Sequence, residues 1–186
     1  MSDKILAILE QRDGKLKKVS FETAGAVSKL AADLGLEAEA VAVGNEIENL
    51  NEIAKYGIKK VIHLKNENLL NYSSSAYADA ISDYSKEVSA KYLLFPNTSL
   101  GKDLAPRVAV KINSGILMDC VKLDSSSKEI IATRPIYAGK ALMDAKLKTE
   151  IKTYTIRPNV FKPTMAEDTL QAEVSVKEIS NPNLKT

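Results

Sequence analysis

Along the first hundred residues, short apolar runs alternate with stretches whose apolar positions recur every three or four residues. Lys4 to Glu10 (KILAILE) is the first such run, and the turn pair Asp13-Gly14 follows it, which predicts a buried strand and a sharp reversal. A helix is predicted next. Ser20 is placed to cap it, Glu22 stands in its first turn, Val27, Leu30, Ala31 and Leu34 share one face, and Gly35 ends it. The cycle repeats with a strand over Ala38 to Val43, a short helix near Leu50 to Tyr56 closed by Gly57, and a strand over Lys60 to Leu64. Tyr77, Ile81, Tyr84 and Val88 mark a further helix, strand Tyr92 to Phe95 follows, and another helix is predicted near Leu104 to Ile112. Near-continuous apolar strands separated by helices predict a mostly parallel sheet covered on both faces, a three-layer α/β/α fold.

Beyond residue 112 the pattern changes. Ile116 to Leu123, Glu129 to Ile136, Lys140 to Leu147 and Lys152 to Ile156 are strand-like runs whose connections are too short to hold crossover helices. Hairpins, and hence an antiparallel extension of the sheet, are the expectation. A Pro-bearing stretch from Arg157 to Thr169 leads to a last alternating run, Leu170 to Ile179, in which Leu170, Ala172, Val174 and Val176 share one face.

Composition narrows the class without naming a function. The chain has 186 residues, 45% hydrophobic and 27% charged, so it builds a sizeable core and is not disordered throughout. No apolar run approaches the length of about 20 residues that a membrane span requires, so no membrane insertion is expected. The start Met1-Ser2-Asp3-Lys4-Ile5 has no leader-like pattern, and the single Cys120 offers no internal disulfide, which together point to the cytoplasm. Residues 1–93 carry 12 Lys/Arg against 14 Asp/Glu, and residues 94–186 carry 14 against 10. That mild basic excess has no interleaved aromatics, so it is read as a solvated face or an acidic partner protein, not as a nucleic-acid platform.

Few side chains suggest chemistry. His63 is the only histidine, which excludes a His-centred triad or a multi-His metal site by counting. Cys120 lacks a basic neighbour in sequence and is read as core, and Asp79 and Asp83, four apart on one helix, are read as solvent-facing. The turn Asn97-Thr98-Ser99-Leu100-Gly101-Lys102-Asp103 joins a strand to a helix at the carboxyl edge of the sheet, where α/β folds bind ligands. It is either an N-cap in a tightly packed turn or an anion site made by the helix N-terminus, with Asn97, Thr98, Ser99, Gly101 and Lys102 as its residues. Arg134-Pro135-Ile136-Tyr137 and Arg157-Pro158-Asn159-Val160-Phe161 each pair an Arg-Pro with an aromatic residue. Such residues are enriched where proteins bury one another, and the alternative is that the arginines brace loops of their own chain.

Three linked segments carry a family resemblance: Gly101-Lys102-Asp103-Leu104-Ala105-Pro106-Arg107-Val108-Ala109, Arg134 through Leu142 (RPIYAGKAL), and Thr155-Ile156-Arg157-Pro158-Asn159-Val160-Phe161. In order and spacing the chain resembles the amino-terminal domain of the electron transfer flavoprotein alpha subunit. The resemblance implies an adenine-nucleotide alpha-hydrolase-like α/β domain over residues 1–180, with 181–186 a tail or the start of a linker to a carboxyl-terminal FAD domain that this chain lacks. It also implies a heterodimer with the beta subunit, with FAD in the intact protein and none in this chain, which has only 8 Gly and no glycine-rich cradle. The implied role is that of a scaffold and subunit-contact domain in an electron carrier between acyl-CoA type dehydrogenases and a downstream acceptor. No catalytic residue and no metal are expected here. Arg134, Tyr137, Arg157 and Phe161 are the expected subunit contacts, and the turn at Asn97 to Lys102 is a vestigial anion site. The alternative is a stand-alone adenine-nucleotide-binding α/β domain, a sensor or nucleotide-dependent enzyme.

Overall fold

A computed structural model describes residues 3–163, 165, 171–180 and 182–184. In chain order it contains β1 (Lys4–Ile8), a small hairpin β2 (Gln11–Arg12) and β3 (Lys15–Leu16), α1 (Lys18–Leu34), β4 (Glu37–Gly44), a 3-10 segment Leu50–Tyr56, β5 (Lys60–Lys65), α2 (Ser74–Glu87), β6 (Ala90–Pro96), α3 (Ser99–Lys111), β7 (Gly115–Cys120), β8 (Lys122–Asp124), β9 (Ile131–Ile136), β10 (Ala141–Ala145), β11 (Lys152–Ile156) and β12 (Glu173–Glu178). Seven strands form one sheet in the order β12-β5-β4-β1-β6-β11-β7, and every pairing within it is parallel.

The strands read as unbroken apolar runs because both faces of the sheet are covered. Along β1, Ile5 and Ala7 pack beneath α1 and the 3-10 segment, while Leu6 and Ile8 pack beneath α2 and α3. The predicted helical faces are the buried ones: Val27, Leu30 and Ala31 on one side, Tyr77, Ile81 and Tyr84 on the other. Gly35 ends α1 in the left-handed conformation (φ 68°), its N–H returning to the Ala31 carbonyl.

Three local expectations are corrected. Ser20 does not cap α1. It lies inside the first turn, where its Oγ accepts from the Glu10 N–H (2.8 Å) and donates to the Glu10 carbonyl (2.6 Å). The backbone at the end of β1 has left the ladder by then, and burial makes its unpaired groups the stronger claim on the hydroxyl. Secondly, α3 begins at Ser99, several residues before the apolar periodicity does, because its first turn is secured by a cap. Thirdly, the strand-like runs after residue 112 do not form one chain of hairpins on the large sheet. β8, β9 and β10 bond antiparallel to one another in a sheet of their own, whereas β11 returns to lie parallel between β6 and β7. The meander is thus a crossover that occupies the place of a helix, and its Ile130 and Ala132 join the same core as α1. In the last run, Leu170 lies outside the described residues; β12 pairs with β5, Ala172 is buried, and Val174 and Val176 remain partly exposed.

His63 on β5 is buried, and its Nε2 has no hydrogen-bond partner among the described residues. Burial lowers its pKa, a shift only partly offset by the backbone of Gly44. The fold therefore holds the neutral ring, and below about pH 6.5 the unfolded chain binds the extra proton. Stability due to this site is fully present above that pH and falls as the pH drops through it. Urea midpoints measured between pH 7.5 and 5.5 should fall more steeply for the wild type than for His63→Gln. Equal slopes would remove His63 from the account.

Candidate functional site

The chain runs from β1 to β4 and β5 on one side, then returns to place β6 on the other side of β1. The carboxyl ends of β1 and β6 are consequently the switch point at which such sheets open a crevice. A cleft of about 480 Å³ lies there, and Glu10, Gln11, Tyr72, Tyr77, Thr98 and Ser99 are among its lining residues. Tyr72 closes one side, donating to Asp103 on α3 (2.7 Å) and packing edge-on against Tyr77 (centroids 5.0 Å apart).

The turn singled out from sequence forms part of this cleft, but its cap is already engaged. Thr98 caps α3, its hydroxyl oxygen accepting from the Gly101 N–H (3.0 Å) and its proton going to the Glu10 carboxylate (2.5 Å). Gly101 meets a packing demand: a Cβ there would stand 1.8 Å from the Pro96 carbonyl oxygen, so only glycine lets α3 start this close to β6. Ser99 and Lys102 are exposed. Glu10, which sequence reading treated only as the end of a strand, is buried with its carboxylate beside the helix N-terminus. An incoming anion within about 4 Å of that charge would meet repulsion of about 4 kcal/mol at an effective dielectric near 20. A helix N-terminus returns about 0.3 to 1 kcal/mol. Repulsion wins.

Asn97 turns away from the cleft into a network that sequence reading did not foresee. Its Nδ2 donates to Asp119 Oδ1 (2.9 Å), and its Oδ1 accepts from the Thr155 hydroxyl (2.8 Å). Thr155 Oγ1 in turn accepts from the Asp119 N–H (2.9 Å), which closes a ring of hydrogen bonds. Arg157 adds a two-pronged contact, Nε to Oδ1 at 2.9 Å and Nη2 to Oδ2 at 2.6 Å, and this guanidinium holds the Asp119 carboxyl below the usual carboxylate range. The available signal was an acid inside an otherwise apolar strand, MDCV.

The four residues expected at a subunit contact fall in different places. Arg157 braces Asp119 in its own chain. Phe161 is partly buried against the α1 core, beyond Asn159, whose N–H is held by the buried Glu22 carboxylate (2.7 Å). Arg134 lies on β9, half-buried, with its Nε unpartnered among the described residues. Tyr137 is 77% exposed at the tip between β9 and β10, where Tyr137, Ala138 and Gly139 are all left-handed (φ 49°, 55° and 88°). Leu142 and Met143 on β10 are exposed beside it. Cys120 is buried, which pushes its thiol up to about 12, far from a reactive thiolate. Asp79 pairs with Lys111 of α3 (2.6 Å) and Asp83 faces solvent, so they form no acid/base pair.

Residues 5–182 match the family described as the electron transfer flavoprotein domain. The chain is 35% identical over 168 residues to the electron transfer flavoprotein subunit alpha of Thermoanaerobacterium thermosaccharolyticum, a match covering 89% of this chain and 51% of that protein. It is 32% identical over 182 residues to Protein FixB of Clostridium saccharobutylicum (95% and 54%). It is 34% identical over 178 residues to the subunit alpha of Megasphaera elsdenii (94% and 53%). The chain therefore spans about half the length of the curated relatives it matches. With a parallel α/β sheet whose switch-point helix is capped by its own Thr98, and with this match over nearly its whole length, the chain belongs to the electron transfer flavoprotein family.

Proposed function

We propose that this chain is the scaffold and subunit-contact domain of an alpha-type electron transfer flavoprotein subunit, with residues 1–180 as one α/β domain and 181–186 as a tail or the start of a linker to an FAD domain. One observation carries the reading. The cleft at the switch point is lined by a buried carboxylate, Glu10, already paired with the Thr98 cap of the helix N-terminus, while the tip of the meander leaves Tyr137, Leu142 and Met143 uncovered. A ligand-binding enzyme would need the first surface open; a contact domain needs the second.

The residues at the switch point do not fit the pyrophosphate of a flavin. Such a group needs free amides at a helix N-terminus in a glycine-rich turn. Here Thr98 holds the Gly101 amide, a carboxylate stands where the phosphate charge would go, and Gly101 is packed against Pro96. The flavin chemistry of the family is accordingly assigned to residues outside this chain, and this domain to no catalytic step. The partner proposed is the beta-type subunit, the setting is the cytoplasm, and the donors are acyl-CoA type dehydrogenases acting through the whole complex. No helix among the described residues is long and apolar enough to cross a membrane.

In this reading the turn at Asn97 to Lys102 is a cap and a vestigial anion site. Titration with AMP or phosphate should give no saturable amide shifts in that turn up to about 1 mM, and Thr98→Ala should cost about 1 kcal/mol of stability. Saturation with a dissociation constant below about 10 μM, confined to Asn97–Lys102, would overturn this and favour the adenine-nucleotide-binding alternative.

For the contact surface, Tyr137→Ala and Leu142→Asp should each weaken binding to a purified beta-type subunit by about tenfold or more, as truncation of an aromatic anchor does. Val110→Ala, at an exposed site on α3, should leave it unchanged. Calorimetric constants unaffected by both meander variants would move the interface elsewhere.

A further inference from the structure

We propose that the ring through Asp119, Asn97 and Thr155, locked by Arg157, is the device that holds the β8–β9–β10 meander in one orientation on the large sheet, with Asp119 as its positioning residue. The inference rests on the reading of the meander as the contact surface, and it concerns what aims that surface.

The meander leaves the large sheet at Asp119. The pairing of β7 with β11 is in register through Leu117 opposite Tyr154, then slips, so that Cys120 lies opposite Ile156. Three residues on β7 thus span the distance of two on β11, and Asp119 absorbs the excess with φ 63°, the one strand residue with positive φ among those described. Such a bulge bends and twists its strand, and a residue with a Cβ adopts that conformation at a cost. The surroundings over-determine it, as persistent strain requires. The Asp119 N–H, which the bulge turns away from the ladder, is taken by Thr155, a side chain with no exposed surface, and the carboxylate is held by Asn97, one residue past β6, and by Arg157, one residue past β11. Two residues later the chain is already in the second sheet, with the Val121 N–H bonded to the Thr133 carbonyl (2.8 Å) and the Arg157 N–H to the Cys120 carbonyl (2.9 Å). The direction taken by β8, and through β9 the placement of Tyr137, follows from the dihedral angles at Asp119. The base of the meander also rests on α1, through Ile130 and Ala132 and through Ser125 donating to Asp33 (2.7 Å), whereas β10 is exposed along nearly its whole length, so the aim of the far strand is set where the meander leaves the sheet.

Hydrogen exchange on this chain tests the assignment, with β1 and β4 amides as an internal control. Asp119→Gly keeps the left-handed backbone accessible but removes every side-chain bond. It should accelerate exchange in the β8–β9 and β9–β10 pairs by about tenfold or more, since hydrogen bonds to charged groups are the strong ones. Exchange in β1 and β4 should stay unchanged. Asp119→Asn, which tolerates the same backbone and keeps one acceptor oxygen but loses the charge and the second acceptor that Arg157 uses, should restore only part of the protection. Arg157→Lys retains the charge without the fork and should act in the same direction as Asp119→Gly but less, which carries the test if the glycine variant does not fold. Meander amides that are unmoved, or that accelerate together with β1 and β4, would overturn the proposal. A loosened meander with slower association to the beta-type subunit supports both readings. A loosened meander with unchanged association supports the positioning role and overturns the contact surface.

Discussion

Burying β1 on both faces forces the polar chemistry of this domain to the two ends of its central strands. At the amino end, Glu39 has no exposed surface and is held by Lys4 (2.5 Å), Lys60 (3.0 Å) and Tyr84 (2.5 Å). Burial alone would push that carboxyl up, but its three donors together hold it below the usual range. At the carboxyl end, Ser20 satisfies the backbone of Glu10, and Glu10 reaches Thr98. A carboxylate left unpaired at either place would cost several kcal/mol. Both are paired, and the sheet between them is closed.

Open α/β sheets bind ligands at the carboxyl edge because unsatisfied amides and a crevice meet there. In this chain the crevice exists, with the Gly101 amide held by Thr98 and the Glu10 carboxylate beside it. The tip of the meander carries strain, with two non-glycine residues in the left-handed region beside Gly139, and it exposes a tyrosine.

The two halves of the domain differ in how legible they are. From β1 to α3, each strand is a local apolar run and each helix a local periodicity, and the helix stop at Gly35 was readable in a few neighbouring residues. After α3, the runs at β7 to β11 were also readable as strands, but their partners were not. Short connections argue for hairpins, and the insertion of β11 between β6 and β7 contradicts that rule because the meander folds back as a unit before the chain returns. Among the candidate residues, the turn at Asn97 was located correctly by its place between a strand and a helix. What Asn97 does depended on Asp119 and Thr155, which are 22 and 58 residues away in sequence.

Sequence by itself determined the three-layer class, the order of the early elements, the burial of Cys120 and the position of the switch-point turn, since each follows from residues near one another in the chain. Tertiary structure alone decided that Ser20 serves a strand end instead of a helix end, that Glu10 pairs with the Thr98 cap of α3, and that Arg157 braces Asp119. Each of these is a contact between residues 10 or more positions apart. Periodicity and propensity report the local backbone, whereas the owner of a polar atom in the folded state is set by which strands become neighbours.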